Sequence, residues 1–207
     1  MSLTCQQLLD KYPQKWKAAI SHPFLDNCSA GTIKPEQFNT WLVQDYLFVI
    51  EFTRFLAQGL ASAPVEHFDV LLGGLHAIKD ELQWFQTKAK ERQLSLDVPK
   101  QAACQAYGEY MAGLANAPYP VQAVALWAIE IAYNQAWQLP GKMAAPYLEF
   151  AERWGNSQFS EYVQLLGKQA DAALENATPQ VQQQAEDAFL KIAELEKDFW
   201  QMAYKTE

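Results

Sequence analysis

WLVQDYLFVIEFTRF, residues 41–55, is the stretch on which the fold reading turns. As a helix it puts Trp41, Asp45, Phe48, Phe52 and Phe55 at i, i+4, i+7, i+11 and i+14, positions that share one face. That face is broad and aromatic, yet a carboxylate sits in it, with Gln44 beside it. Burying an unpaired carboxylate costs on the order of several kcal/mol, so Asp45 calls for a donor partner or water. Two readings follow. In one, an aromatic-walled pocket holds a ligand whose N–H groups face Asp45. In the other, Asp45 pairs with a core Arg, Lys, Tyr or Trp and binds nothing.

Outward from that helix the spacing stays helical nearly everywhere. Cys5 to Ile20 reads as a first helix bent or interrupted near Pro13. SHPFLDNCSAGTIKPEQF reads as a connection, with Pro35 suited to the first turn of the Trp41 helix, which continues to about Ala61. Pro64 opens another helix through Lys90, and SLDVPK breaks the chain before a helix over Ala102–Leu114. VQAVALWAIEIAYNQAWQ, Val121 to Gln138, is apolar almost all round and reads as the central helix. Pro146–Trp154 and Ser157–Glu175 read as two more, and Thr178 caps a last helix running to about Tyr204. With no period-2 pattern, repeat or long linker, we expect one all-α domain over residues 1–207.

Composition removes several function classes. A net charge of −8 leaves no basic field for phosphates, so we expect no nucleic-acid partner. No apolar run reaches the roughly 20 residues needed to span a bilayer, so we expect no membrane role. MSLTCQQLLDKYPQKW lacks a basic-then-apolar signal pattern, and we expect a cytoplasmic or equivalent reducing setting. The 3 cysteines (Cys5, Cys28, Cys104) include no CxxC, and the 3 histidines (His22, His67, His76) form no metal-ligand spacing. We therefore expect neither metal nor cofactor, which also argues against an iron or quinone-forming oxidase.

Two more carboxylates stand where the pattern wants apolar residues. Glu130 lies between Ile129 and Ile131, with Tyr133, Asn134 and Trp137 at i+3, i+4 and i+7. Burial there raises a carboxyl pKa, which suits a general acid or base near neutral pH; a hydrogen-bonded core Glu is the alternative. Glu196 has Phe199, Trp200 and Ala203 on its side of the last helix, whereas Glu194 and Asp198 read as a solvated face. Asp45, Glu130 and Glu196 are each bedded in aromatics on a different helix. A helical bundle can gather such groups at one pocket, where neighbouring carboxylates push their pKa values apart.

HPFL at 22–25, GTIKPEQFNTWLVQDYLFV at 31–49 and DFWQMAY at 198–204 resemble, in order and across nearly the whole chain, the TenA/thiaminase II family. The resemblance implies the haem-oxygenase-like all-α fold without haem, a homo-oligomer (tetramer or dimer), a pyrimidine pocket and hydrolysis in thiamin salvage. It puts the pyrimidine-anchoring Asp on Asp45 and the last-helix acid/base on Glu196. It puts pocket aromatics on Phe48, where the family carries Tyr, on Tyr107, and on Trp154, where many members carry Tyr. Tyr133, one turn beyond Glu130, is taken with these as a pocket residue. Thiaminase II proper has a nucleophilic Cys on the helix matching ALWAIEIAY, where this chain has Ala128 at the nearest position. WAIE at 127–130 with DELQWF at 80–85 is similar instead to a Glu-type subgroup, and the replacing Glu falls on Glu130. A carboxylate is a poor substitute for a thiolate adding to a pyrimidine ring, so this departure argues against thiamin cleavage.

The expected activity is therefore hydrolysis of 4-amino-5-aminomethyl-2-methylpyrimidine or its N-formyl derivative. Asp45 would anchor the aminopyrimidine edge, Glu130 would activate water, and Glu196 would protonate the leaving amine. A non-catalytic pyrimidine-binding protein on the same fold is the rival reading.

Overall fold

Helix starts and stops in this chain are written in its caps and prolines, as a computed structural model describing residues 2–205 makes plain. The described residues form ten α-helices and no strand: α1 (Cys5–Lys11), α2 (Pro13–Ile20), α3 (Pro23–Ala30), α4 (Pro35–Ser62), α5 (Phe68–Glu91), α6 (Ala102–Gly113), α7 (Tyr119–Gln138), α8 (Leu148–Gly155), α9 (Ser157–Glu175) and α10 (Pro179–Tyr204). Thr4 and Gln7 make a reciprocal capping box at α1. Pro13, Pro23 and Pro35 each stand in the first turn of a helix, where the missing N–H removes no intrahelical bond. The Asn156 side chain accepts from the Phe159 N–H at 2.9 Å to start α9, and Thr178 Oγ1 accepts from the Val181 N–H at 3.3 Å to start α10.

One expected connection is a helix. Residues 23–30 form α3 because Pro23 sits at its first position and His22 Nδ1 accepts from the Phe24 N–H at 3.1 Å. Gly31, at φ 72°, closes it in the left-handed conformation that glycine adopts without strain. Phe24, Leu25 and Cys28 are its buried face. Eight residues are too few for that periodicity to stand out in the sequence. The bend near Pro13 is a full break between α1 and α2, and the helix expected from Pro64 begins with a single 3₁₀ turn, Val65–His67.

The chain divides into two compact units. One comprises the N-terminal residues through Ile33 and Pro118–Asp198; the other comprises Lys34–Ala117 and the chain from Phe199 onward. In the first unit α7 is the hub and packs on α9, α8 and α2. It buries fifteen residues along its length, from Val121 to Trp137, as a helix apolar on every side must. Phe189 stacks between Trp16 and Trp127, with ring centroids 5.1 and 6.0 Å away, and Trp16 Nε1 donates to Gln135 at 2.7 Å. In the second unit α4 is the spine, packed on α5 and α6. Gln37 donates to the Tyr204 carbonyl and ties the end of α10 to the start of α4.

Candidate functional site

The second unit holds Asp45, Phe48 and Tyr107. Asp45 is 1% exposed on α4, so this charge-bearing side chain belongs to the core and not to the surface. Phe48, one turn on, lies 4.7 Å from the Tyr107 ring, 5.9 Å from Phe52 and 5.7 Å, edge-on, from Phe199. These rings cluster around Phe48, one helical turn along α4 from Asp45. Sequence reasoning set Phe199 beside Glu196 on its own helix; its contact with Phe48 is visible only in three dimensions.

Close docking of α6 on α4 sets the Tyr107 position. A Cβ on Gly108 would stand 3.0 Å from Glu51 Cγ, so a larger residue here requires the Glu51 side chain to give by a few tenths of an ångström. Glu51 is held in turn by Lys100 and by Arg54, the latter at 2.7 Å. Hydrogen bonds from Lys100 and Arg54 hold the Glu51 carboxyl below its ordinary value.

Cys104 sits one turn before Tyr107, fully buried, with Sγ donating to the Gln44 carbonyl at 3.4 Å. Burial pushes its thiol up; the Lys100 ammonium pulls it down, the Asp45 and Glu51 carboxylates push it up again, and the result is about 12. At neutral pH it is a thiol and not a nucleophile. Burial and the Asp171 carboxylate raise the Cys5 thiol further still.

The first unit holds Glu130, Tyr133, Trp154 and Glu196. Glu130 is 9% exposed on α7 and Glu196 2% exposed on α10. Tyr133 meets Trp154 edge-on at 5.4 Å, and Trp137 stacks on Trp154 at 5.6 Å. A polar knot fixes Trp154 at the end of α8. Asn134 Nδ2 donates to the Trp154 carbonyl at 2.7 Å, and Ser160 Oγ donates to Asn134 Oδ1 at 3.1 Å. Gln138 Nε2 donates to the Gly155 carbonyl and to Ser160, each at 2.9 Å. The sequence placed Asn134 only at i+4 from Glu130; its partners, on α8 and α9, were not legible.

All seven residues expected at the site are thus buried. Asp45, Phe48 and Tyr107 are gathered in one unit, and Tyr133 is joined to Trp154 in the other. None of the three cysteines lies on α7, where Ala128 is fully buried. Among the described residues, no group of three His, Cys, Asp or Glu side chains is placed to hold a metal ion, and no helix is long and apolar enough to cross a membrane.

Comparison with known proteins gives this arrangement a family. The TENA/THI-4/PQQC family pattern matches residues 9–206. The chain belongs to the TENA/THI-4/PQQC family. A probable bifunctional TENA-E protein from Glycine max is 36% identical over 207 residues, covering 94% of this chain and 90% of that one. An aminopyrimidine aminohydrolase from Halalkalibacterium halodurans is 25% identical over 209 residues, covering 95% and 93%. The solved structure of a TenA homologue from Pyrococcus furiosus superposes with a TM-score of 0.92 at 30% identity, covering 96% of this chain and 98% of that one. This member of the family accordingly has the helical haem-oxygenase-like fold.

Proposed function

We propose that the protein hydrolyses an aminomethyl pyrimidine, 4-amino-5-aminomethyl-2-methylpyrimidine or its N-formyl derivative, with carboxylates and without a metal. The observation that carries the reading is Glu130. It is a buried carboxylate on the central helix of a chain that, over 95% of its length, is similar to an aminopyrimidine aminohydrolase. The three cysteines lie off that helix, and two of them are held as thiols. We take the chain to belong to the Glu-type subgroup that lacks a catalytic Cys.

Asp45 accepts from the exocyclic amine and pairs with a protonated ring nitrogen, a charge-assisted contact on one edge of the heterocycle. Phe48, Tyr107, Tyr133 and Trp154 supply aromatic surface for the ring. Glu130 takes a proton from water, whose oxygen bonds to carbon as the C–N bond breaks. Glu196 gives its proton to the departing nitrogen. The free amine yields an alcohol and ammonia; the N-formyl substrate yields formate and the amine. The reading treats residues 1–207 as one working domain, in a cytoplasmic setting, assembled as a dimer or tetramer of identical chains.

Incubation of the purified protein with thiamin, the aminomethyl pyrimidine and its formyl derivative, followed by mass spectrometry, tests the proposal. Product from one of the two aminomethyl compounds supports it. Calorimetric binding without product favours the non-catalytic reading, and product from thiamin alone overturns the subgroup assignment.

A further inference from the structure

We propose that Gln44 is a positioning residue that holds Tyr107 where a bound pyrimidine needs it, without touching the substrate itself. The inference rests on the functional reading above. Gln44 is 3% exposed on α4, next to Asp45, and a buried amide must be hydrogen-bonded at both ends. Its Oε1 accepts from the Gln101 N–H at 2.8 Å, and its Nε2 donates to the Pro99 carbonyl at 3.2 Å. Its own backbone carbonyl receives the Cys104 thiol at 3.4 Å. One residue of α4 therefore grips the chain at 99, 101 and 104.

That grip substitutes for a missing cap. Gln101 stands at the N-cap of α6 with no side-chain capping bond, so α6 starts from a point fixed by α4 and not by its own sequence. Gln44 also lines an open groove of about 440 Å³ with Val43, Leu94, Val98 and Pro99, so no close packing from outside presses residues 94–99 into place. Downstream, α6 is one continuous helix of 12 residues. Tyr107 lies one turn beyond Cys104, Phe48 one turn beyond Gln44, and their rings meet at 4.7 Å. The Gln44 amide sets the register in which α6 presents Tyr107 to Phe48 and to the side of α4 that bears Asp45.

Gln44→Met keeps the length of the side chain and removes both amide bonds. It raises KM about tenfold and leaves kcat within about twofold, the size of a coupled but non-reacting neighbour. In a cycle with Tyr107→Leu the double variant is no worse than Tyr107→Leu alone, a coupling that general destabilisation does not produce. Hydrogen exchange at 101–108 quickens while α5 is unchanged. If Gln44→Met fails to fold, Gln101→Pro removes one of the same two bonds, at a residue whose φ of −73° suits proline, and raises KM in the same direction by a smaller factor. An unchanged KM with normal wild-type turnover, additive effects in the cycle, or unaltered exchange at 101–108 overturns the Gln44 role alone. A wild-type protein that turns over no pyrimidine overturns the functional reading, and substrate positioning with it.

Discussion

Asn134→Ala strikes the knot that fixes Trp154, and its cost follows from the geometry. Asn134 is 5% exposed and gives its amide proton to the Trp154 carbonyl at 2.7 Å. Withdrawing a donor from a buried carbonyl costs about 1–3 kcal/mol. The second bond, from Ser160, is worth less, about 0.5–1 kcal/mol, because Ser160 Oγ also reaches the Asn156 carbonyl at 3.1 Å. Together the loss is about 1.5–4 kcal/mol, or a Tm drop of about 3–16 °C for a chain of this size. Asn134→Asp sharpens the test: it keeps the acceptor for Ser160 but turns an oxygen on the Trp154 carbonyl, so it is worse than Ala. Ser160→Ala loses under about 1 kcal/mol. Urea unfolding followed by circular dichroism, with the thermal midpoint alongside, reads all three variants. A loss below about 1 kcal/mol for Asn134→Ala, or Asn134→Asp milder than Asn134→Ala, refutes the reasoning.

Other expected outcomes follow the same logic. Lys11, at 2.6 Å, and Tyr12 both bond Glu186; burial works to raise its carboxyl, but those bonds outweigh it and hold the group below its ordinary 4.5. The unfolded chain therefore binds this proton first as pH falls, so the contribution is complete at neutral pH and fades below about pH 4.5. Glu186→Gln flattens that part of the acid limb in denaturation measured from pH 7 to pH 3, and an unchanged limb contradicts it. Gly108→Val forces α6 away from a Glu51 side chain that Lys100 and Arg54 hold in place. It lowers stability by about 1–3 kcal/mol and raises KM for the pyrimidine, read by unfolding and steady-state kinetics. A neutral Gly108→Val shows that α6 has slack.

Much of the fold was legible because the helices are long and their faces consistent. The 28 residues of α4 repeat the aromatic spacing far enough for no other period to compete, and α7 declares itself by being apolar all round. Short α3 was hidden, since a His cap and a proline start resemble a loop when only two turns follow. The site was legible in part for a related reason. A carboxylate in an aromatic face signals burial, and Asp45, Glu130 and Glu196 are all buried. Which rings touch is a matter of helix packing: Phe48 meeting Tyr107 and Phe199, or Asn134 reaching Trp154, depends on close approaches such as the one Gly108 permits. Linear spacing encodes a helix face but not the face opposite.

Glu130→Gln tests the central claim most directly, because it keeps the shape of the side chain and removes only its capacity to take a proton. Pyrimidine binding by calorimetry and product release by mass spectrometry are measured on the same preparation. The account predicts affinity within a few-fold of wild type and turnover lowered by at least about a hundredfold. Full turnover in Glu130→Gln contradicts it, since the proton transfers then proceed without the carboxylate to which they are assigned.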